Sequence, residues 1–469
     1  MKIVVVSIFR REFGGGEGQI AHEMADVFSS RHDVTLICPG DRTELQEREN
    51  GLKVFTVQSA SHEHVSSPLL SQVNLRALYS YLDAFQPDVI HAHDPALLGV
   101  VLQVWAKTHQ VPFIYTTHVL PSKATQFGTT DALRVNLDFI ARPLINRFLM
   151  NFYENCDGVI ALNQIAFNEV REFGFHGPMF IIPNGRVLAH YAYRRIADPE
   201  DAVINLIAIG FLSPRKNQAY LIDVMQYLPD HFMLQFVGPA LSPDYERALH
   251  KHAQMVAPSR IEFLGKLPHQ QIAELLENAH LLLSASTMEV QSLVVIEALA
   301  SGTPIVGLSN ETIDELVDDR VGLRLQKTAP PEAMAEAVLG IFSGASEDYQ
   351  QYCMMARERV QHLDWSNVMD QTIDLYRKIQ SLVALTYPPV PSHRRIASRI
   401  LANVRDLEWK QTLLDLSSNL PLPSLPRHRV SMETRMISGI THTGAIMLYA
   451  AIKADRAFRS LPRRFSRVR

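Results

Sequence analysis

The chain has 469 residues, 47% of them hydrophobic and 20% charged, with a formal net charge of -4. That length exceeds the roughly 250–300 residues at which one hydrophobic core stops growing, so two domains plus an appendage are predicted, and the composition excludes a fibrous or largely disordered chain. Cys38, Cys156 and Cys353 lie far apart with no CxxC pair, which excludes a disulfide framework or cysteine zinc site and points to a reducing compartment.

The apolar run Ile3–Phe9 is short, lacks a small-residue cleavage site and is followed by Arg10-Arg11, so it reads as a buried strand and not a signal peptide. Gly14-Gly15-Gly16 follows, then Ile20, Ala21, Met24, Val27 and Phe28 at helical spacing, giving strand, glycine loop, helix. Further strands are predicted at 33–38, 88–92, 112–117 and 157–162, and a second set at 205–210, 232–237, 260–264, 280–284 and 303–308, separated by helix-length segments. The prediction is an α/β chain of two facing, doubly wound, Rossmann-like domains, residues 1–185 and 186–365, with ligands at the carboxyl ends of the strands.

A helix from the Asp364-Trp365-Ser366-Asn367 segment to about Leu385 is expected to pack back across the domains as residues 366–387. Pro388, Pro389 and Pro391 end this body, because proline stops helices and removes donors. The extension 388–469 is basic: from Pro391 onward there are 15 Lys+Arg against 5 Asp+Glu, a balance of +10, leaving 30 against 44, or -14, for residues 1–390. Met436 to Ile452 is broken by Ser438, Gly439, Thr441, His442, Thr443 and Gly444, too polar for a span.

The richest stretch is Ser284 to Pro304, SASTMEVQSLVVIEALASGTP. Small residues close a strand, a helix begins near Ser292 and ends at Ser301, Gly302 caps it and Pro304 follows. The open amides at such a helix start hold phosphate without a side-chain cation. Glu289 and Glu297 bracket that start. Most glutamates are solvated surface acids, but Glu297 lies within Leu293, Val294, Val295, Ile296, Ala298 and Leu299, and an acid in such a run needs a partner.

With these residues in view, the chain resembles the family 4 retaining glycosyltransferases of GT-B fold over residues 1 to about 385. Glu289 and Glu297 match the family's pair of glutamates seven residues apart. Val89-Ile90-His91-Ala92-His93-Asp94, Tyr115-Thr116-Thr117-His118, Pro183-Asn184-Gly185, Arg215-Lys216-Asn217, Val237-Gly238-Pro239 and Phe263-Leu264-Gly265 match in the family's order.

The resemblance implies that Glu297 binds the ribose hydroxyls, and that Glu289 with the amides near Gln291, Ser292 and Leu293 holds the donor sugar. It implies that Gly265 and Lys266 line the base pocket, that Lys216 neutralises the diphosphate, that Gly15 and Gly16 approach it from the other domain, and that His118 lies beside the transferred sugar. The donor is then a nucleotide-diphosphate sugar, UDP-glucose being the one suggested, and no metal or other cofactor is expected. One departure stands out: where the family has glycine-arginine-leucine, this chain has Gly210-Phe211-Leu212. Arg215 is the available substitute for the absent diphosphate-binding arginine. His91, His93 and His118 also invite reading as a metal cluster, but no acidic or cysteine ligand accompanies them at useful spacing.

The segment between His118 and Asp157 carries Leu133, Val135, Leu137, Phe139, Ile140, Leu144, Ile145, Phe148, Leu149 and Phe152 with Arg134, Arg142 and Arg147. It reads either as a core helix or as an acceptor surface that meets lipid. The motif form Glu289-Val290-Gln291-Ser292-Leu293 and the length of this segment are similar to bacterial transferases that glycosylate diacylglycerol. A saccharide or polyprenyl-linked acceptor stays open, as does a non-catalytic nucleotide-sugar-binding protein. A GT-B epimerase or phosphorylase fits the motif order less well. The basic extension is the expected contact with an anionic membrane surface. The expected location is cytoplasmic or peripheral on the inner membrane face, and no nucleic-acid partner is expected.

Overall fold

The computed structural model describes residues 1–11, 15–62, 65–122, 145–191 and 203–386. Gly14, the apolar residues 133–144 and the extension 388–469 lie outside them.

The first lobe runs β1 (Lys2–Val6), α1 (Gly15–Phe28), β2 (Asp33–Gly40), β3 (Glu44–Glu47), β4 (Lys53–His62), β5 (Val65–Pro68), α2 (Gln72–Phe85), β6 (Val89–Ala92), α3 (Leu97–His109), β7 (Phe113–Thr117), a helix α4 over residues 145–154, β8 (Gly158–Ala161), α5 (Gln164–Glu172) and β9 (Met179–Ile181). Its sheet order is β3-β4-β2-β1-β6-β7-β8-β9, with β5 beside β4. Only β3 and β5 pair antiparallel. Strands β6, β7 and β8 are buried along their whole length, which is why they appear in the sequence as largely apolar runs, broken only by His91, Thr116 and Thr117, and not as strict alternation.

The second lobe runs β10 (Ile204–Ile209), α6 (Gln218–Val224), β11 (Phe232–Val237), α7 (Pro243–Val256), β12 (Ile261–Gly265), α8 (His269–Asn278), β13 (Leu281–Ser284), α9 (Leu293–Ala300), β14 (Ile305–Leu308), α10 (Glu311–Leu316), β15 (Gly322–Leu325), α11 (Pro331–Ile341) and α12 (Ser346–Arg359). Its six strands are parallel in the order β12-β11-β10-β13-β14-β15. The predicted α/β class with two parallel-sheet domains is therefore observed.

Strand order reverses between β1 and β6 in the first sheet and between β10 and β13 in the second. Such switch points leave a crevice at the strands' carboxyl ends. The glycine run, His93-Asp94, Arg215-Lys216 and the Glu289–Glu297 motif all follow these four strands in the sequence, and His91 lies within β6 itself.

The last helix, α13 (Trp365–Thr386), returns to the first lobe. Its Ile379 packs against Gly158 of β8, and Trp365 meets Phe28 of α1 edge to face, ring centroids 5.9 Å apart. Where the chain crosses back, the Arg186 amide donates to the Leu363 carbonyl (2.9 Å) and the Trp365 amide to the Arg186 carbonyl (3.1 Å), so the two inter-lobe connections are paired. Among the described residues no helix is long and apolar enough to cross a membrane.

Candidate active site

Three neighbouring strands of the second lobe end in glycine with positive φ: Gly210 after β10 (142°), Gly238 after β11 (135°) and Gly265 closing β12 (65°). The Gly210 amide donates to the Val237 carbonyl and the Gly238 amide to the Gly265 carbonyl, both at 2.8 Å. A Cβ on Gly238 would collide with the Gly210 carbonyl, and one on Gly210 would press on Lys216 Cε at 3.0 Å. The carboxyl edge of this sheet is thus stripped of side chains, as close approach by a ligand requires.

Lys216 rises beside that edge from a 3-10 turn, Pro214–Lys216. Its Nζ lies 2.5 Å from Glu289 Oε1, with the two side chains only 13% and 12% exposed. Burial acts to raise the Glu289 pKa, but Lys216, then Arg215 and a hydrogen bond from Ser286 more than offset it and hold the carboxyl below its ordinary value. The Thr287 amide donates to the Arg215 carbonyl (2.9 Å) and the Glu289 amide to Glu311 Oε2 (3.1 Å), which fixes the loop.

Helix α9 begins after Ser292, whose backbone is extended and whose side chain makes no capping bond. The Ser292 amide itself donates to Thr312 Oγ1 (2.8 Å), so the amides without intrahelical acceptors are those of the next first-turn residues. A small cavity bounded by Lys216, Ser286, Ser292, Val294 and Val295 adjoins this helix start. It combines an ammonium with the positive end of a helix dipole.

The buried partner that Glu297 demands is Arg186. Its guanidinium reaches Glu297 Oε1 with Nε (2.9 Å) and Nη2 (2.5 Å), Tyr191 Oη with Nη2 (2.9 Å), and Glu23 Oε2 with Nη1. Glu297 is 3% exposed and Arg186 5%. Because Glu23 lies on α1 and Glu297 on α9, this cluster ties the lobes together a turn or more behind the two helix starts.

The lobes also meet at those starts. A Cβ on Gly16 would touch Leu293 Cδ1 at 3.4 Å. Asn163 Nδ2 donates to the Val290 carbonyl (2.8 Å), and the Asn184 amide donates to Gln291 Oε1 (2.7 Å). Glu289, Gln291, Ser292, Leu293 and Glu297 are therefore gathered with Lys216, Gly16 and the first lobe at one junction. Gly265 and Lys266 are exposed at the end of β12, two strands out from the switch point.

On the first lobe, the rings of His91, His93 and His118 form a stack, with centroids 4.6 and 5.2 Å apart. His91 pairs with Tyr376 Oη (2.6 Å) and Thr116 Oγ1 (2.7 Å); His93 pairs with His118 Nε2 (2.9 Å) and Met24 Sδ (3.3 Å). Burial drives the pKa values of His91 and His118 down to about 3, and that of His93 well below its ordinary value. These rings are neutral. A thioether only accepts, so His93 carries its hydrogen on Nε2 and accepts from His118, which leaves His118 Nδ1 as an acceptor. No contact joins this stack to the Lys216–Glu289 pair among the described residues.

Sequence reasoning missed Arg186, Glu23, Tyr191 and Tyr376. The demand on Glu297 was legible in its apolar surroundings; the identity of a partner 111 residues away was not.

Two family models match the chain: Glycosyltransferase Family 4 over residues 14–189 and Glycosyl transferases group 1 over residues 204–343. Among curated proteins, the alpha-monoglucosyldiacylglycerol synthase of Streptococcus pneumoniae is 26% identical over 255 residues, covering 50% of this chain and 55% of that protein's length. The phosphatidylinositol N-acetylglucosaminyltransferase GPI3 subunit of Saccharomyces cerevisiae is 22% identical over 409 residues, 81% of this chain and 83% of that one. Among solved structures, Anabaena Alr3699/HepE in complex with UDP-glucose superposes with a TM-score of 0.62 at 20% identity, covering 81% of this chain and all of that one.

Proposed function

The chain belongs to the family 4 glycosyltransferases with a GT-B fold, and from that premise we propose that it transfers a hexose from a nucleoside-diphosphate sugar, UDP-glucose first among donors, to a membrane-lipid hydroxyl such as that of diacylglycerol, with retention at the anomeric carbon. The observation that carries this reading is the Lys216–Glu289 pair set beside the start of α9 at the topological switch point.

Cleaving the bond between a sugar and a diphosphate builds positive charge on the sugar and negative charge on the leaving group. Groups that stabilise the second charge lower the barrier most. Lys216, the α9 amides and dipole, and Arg215 supply that stabilisation, with Gly16 admitting the phosphates from the facing lobe. Glu289 orients the sugar hydroxyls, Glu297 the ribose, and His118 accepts from the sugar through Nδ1. The departing phosphate takes the acceptor's proton on the same face, so no second carboxylate is needed across the bond. The cation work falls to Lys216 and Arg215, so turnover is expected to survive exhaustive chelation with EDTA.

The names of two relatives put their sugars on a diacylglycerol and a phosphatidylinositol, which supports a lipid acceptor. The basic extension supports peripheral attachment to an anionic cytoplasmic leaflet at about 1 kcal/mol per basic residue near the surface. The test is incubation of the protein with mixed nucleotide sugars and total membrane lipid, followed by mass analysis. A lipid that gains one hexose as one donor is consumed supports the reading. Gain on a saccharide or polyprenyl phosphate replaces the acceptor, and the absence of any donor-dependent release of nucleoside diphosphate returns the protein to the non-catalytic class.

A further inference from the structure

We infer that Arg186 is a positioning residue for nucleotide recognition: it fixes the Glu297 carboxylate so that its second oxygen, Oε2, faces the ribose diol, and thereby sets the preference for ribose over deoxyribose. The inference rests on the assignment of Glu297 to the ribose made above.

Arg186 follows Pro183-Asn184-Gly185 directly and is held on every side. Its amide and carbonyl are both used in the pairing with Leu363 and Trp365, its guanidinium carbon lies 5.6 Å from the centroid of the Tyr191 ring, and all three of its nitrogens have protein partners. A guanidinium presents its donors in a rigid fork. Here two tines, Nε and Nη2, converge on the same oxygen of Glu297, Oε1.

That convergence fixes the carboxylate's rotation about its terminal torsion, which is otherwise broad and nearly free. A hydrogen-bonded carboxylate held at one oxygen keeps the lone pairs of the other in a set direction, the geometry needed to receive two adjacent hydroxyls. Glu23, bonded to the third tine, holds the guanidinium from the opposite side and links that setting to the first lobe. An ion cluster whose only role is to join the lobes would be indifferent to which sugar the nucleotide carries.

The experiment is calorimetric titration of the full chain with UDP and with 2′-deoxy-UDP, using GDP and ADP with their deoxy forms if UDP does not bind. It compares wild type, Arg186→Gln, Arg186→Lys and Glu23→Gln. Wild type is expected to prefer the ribonucleotide by about tenfold or more, the worth of a hydrogen bond to a charged acceptor. Arg186→Gln should bring the two affinities within about twofold of each other, chiefly by weakening the ribonucleotide. Arg186→Lys, whose ammonium cannot grip one oxygen with a fork, should fall between, and it decides the matter if the glutamine variant does not fold. Glu23→Gln keeps the Arg186–Glu297 pair and should keep most of the preference.

Equal loss of both nucleotides in the Arg186 variants, or an undiminished preference, overturns the inference and leaves the transferase reading standing. A wild-type protein that binds ribo- and deoxyribonucleotide alike also overturns it, by removing Glu297 from the ribose. A wild-type protein that binds no nucleoside diphosphate sinks the transferase reading itself.

Discussion

Lys216 and Glu289, 73 positions apart in sequence, form a nearly dehydrated ion pair that joins the loop after β10 to the loop after β13. A diphosphate arriving at Lys216 finds a carboxylate already there, so the two anions compete for one ammonium. Glu289→Gln is therefore expected to bind UDP at least as tightly as wild type while turnover falls about a hundredfold or more, since the residue acts on the sugar and not on the phosphates. Lys216→Ala should lose both, with UDP affinity down at least about tenfold. Calorimetry beside steady-state kinetics checks the split; parallel loss of affinity and turnover in Glu289→Gln would remove it.

Acid should unfold this protein through its histidines as well as its carboxylates. His91 titrates near 6.5 in the unfolded chain but is pushed to about 3 in the fold, first by burial and then by His118. Below pH 6.5 the unfolded state takes up a proton that the folded state refuses, so stability is intact above that value and is lost as pH falls from 6.5 toward 3. Between pH 7 and 5 His91 alone should cost about 2 kcal/mol. Urea unfolding of wild type and His91→Gln across that interval tests this: the variant should lose less stability on acidification. Equal losses would show that His91 is not the group responsible.

Much of this architecture is legible in the sequence because most of the buried parallel strands are short, strongly apolar runs. Val89-Ile90-His91-Ala92 and Phe113-Ile114-Tyr115 are apolar but for His91, and α9 is framed by Ser292, Gly302 and Pro304. Five strands escaped: β4, parallel to β2 and buried at Val54, Phe55 and Val57, runs on into the polar Gln58-Ser59, β5 and β9 are only four and three residues long, and β3 and β15 are of another kind. β3, Glu-Leu-Gln-Glu, is exposed at every position, as a charged edge strand that discourages further pairing tends to be, and β15 opens on Gly322 and carries Arg324. The site divided the same way. Short-range features such as the glycine strand ends and the helix start are written locally, whereas the Arg186 cluster and the Tyr376–His91 bond exist only once distant segments meet.

Gly185 and Trp365 make a steric prediction at the place where the two inter-lobe connections cross. A Cβ on Gly185 would fall within the Trp365 ring, at Cδ2 and Cε3, although its φ is not positive. Glycine is thus required there by space and not by backbone conformation. Gly185→Ala should cost about 1–3 kcal/mol through overpacking, read as a lowered thermal midpoint. Pairing it with Trp365→Leu should give a double variant less destabilised than the sum of the two singles. Simple additivity would mean that the crossing relaxes without strain.

Phe211 poses the sharpest question about the phosphates, since it occupies the position where the family resemblance implies an arginine. The protein holds that stretch by its backbone: Gln218 Nε2 donates to the Phe211 carbonyl at 2.9 Å. Arg215 stands four residues later in the turn that carries Lys216, its carbonyl tied to Thr287 and its charge already felt by Glu289. A guanidinium reaching the diphosphate from there would do the same work from four residues further along the loop after β10. Arg215→Ala should then weaken UDP binding about tenfold, a typical loss for one charge-assisted contact, and Phe211→Arg in the Arg215→Ala background should restore affinity to within about threefold of wild type. Recovery is the decisive arm, because only a shared electrostatic role allows one position to compensate for the other. Wild-type affinity in Arg215→Ala, or a double variant no better than the single, would leave Lys216 and the α9 amides as the whole of the phosphate site.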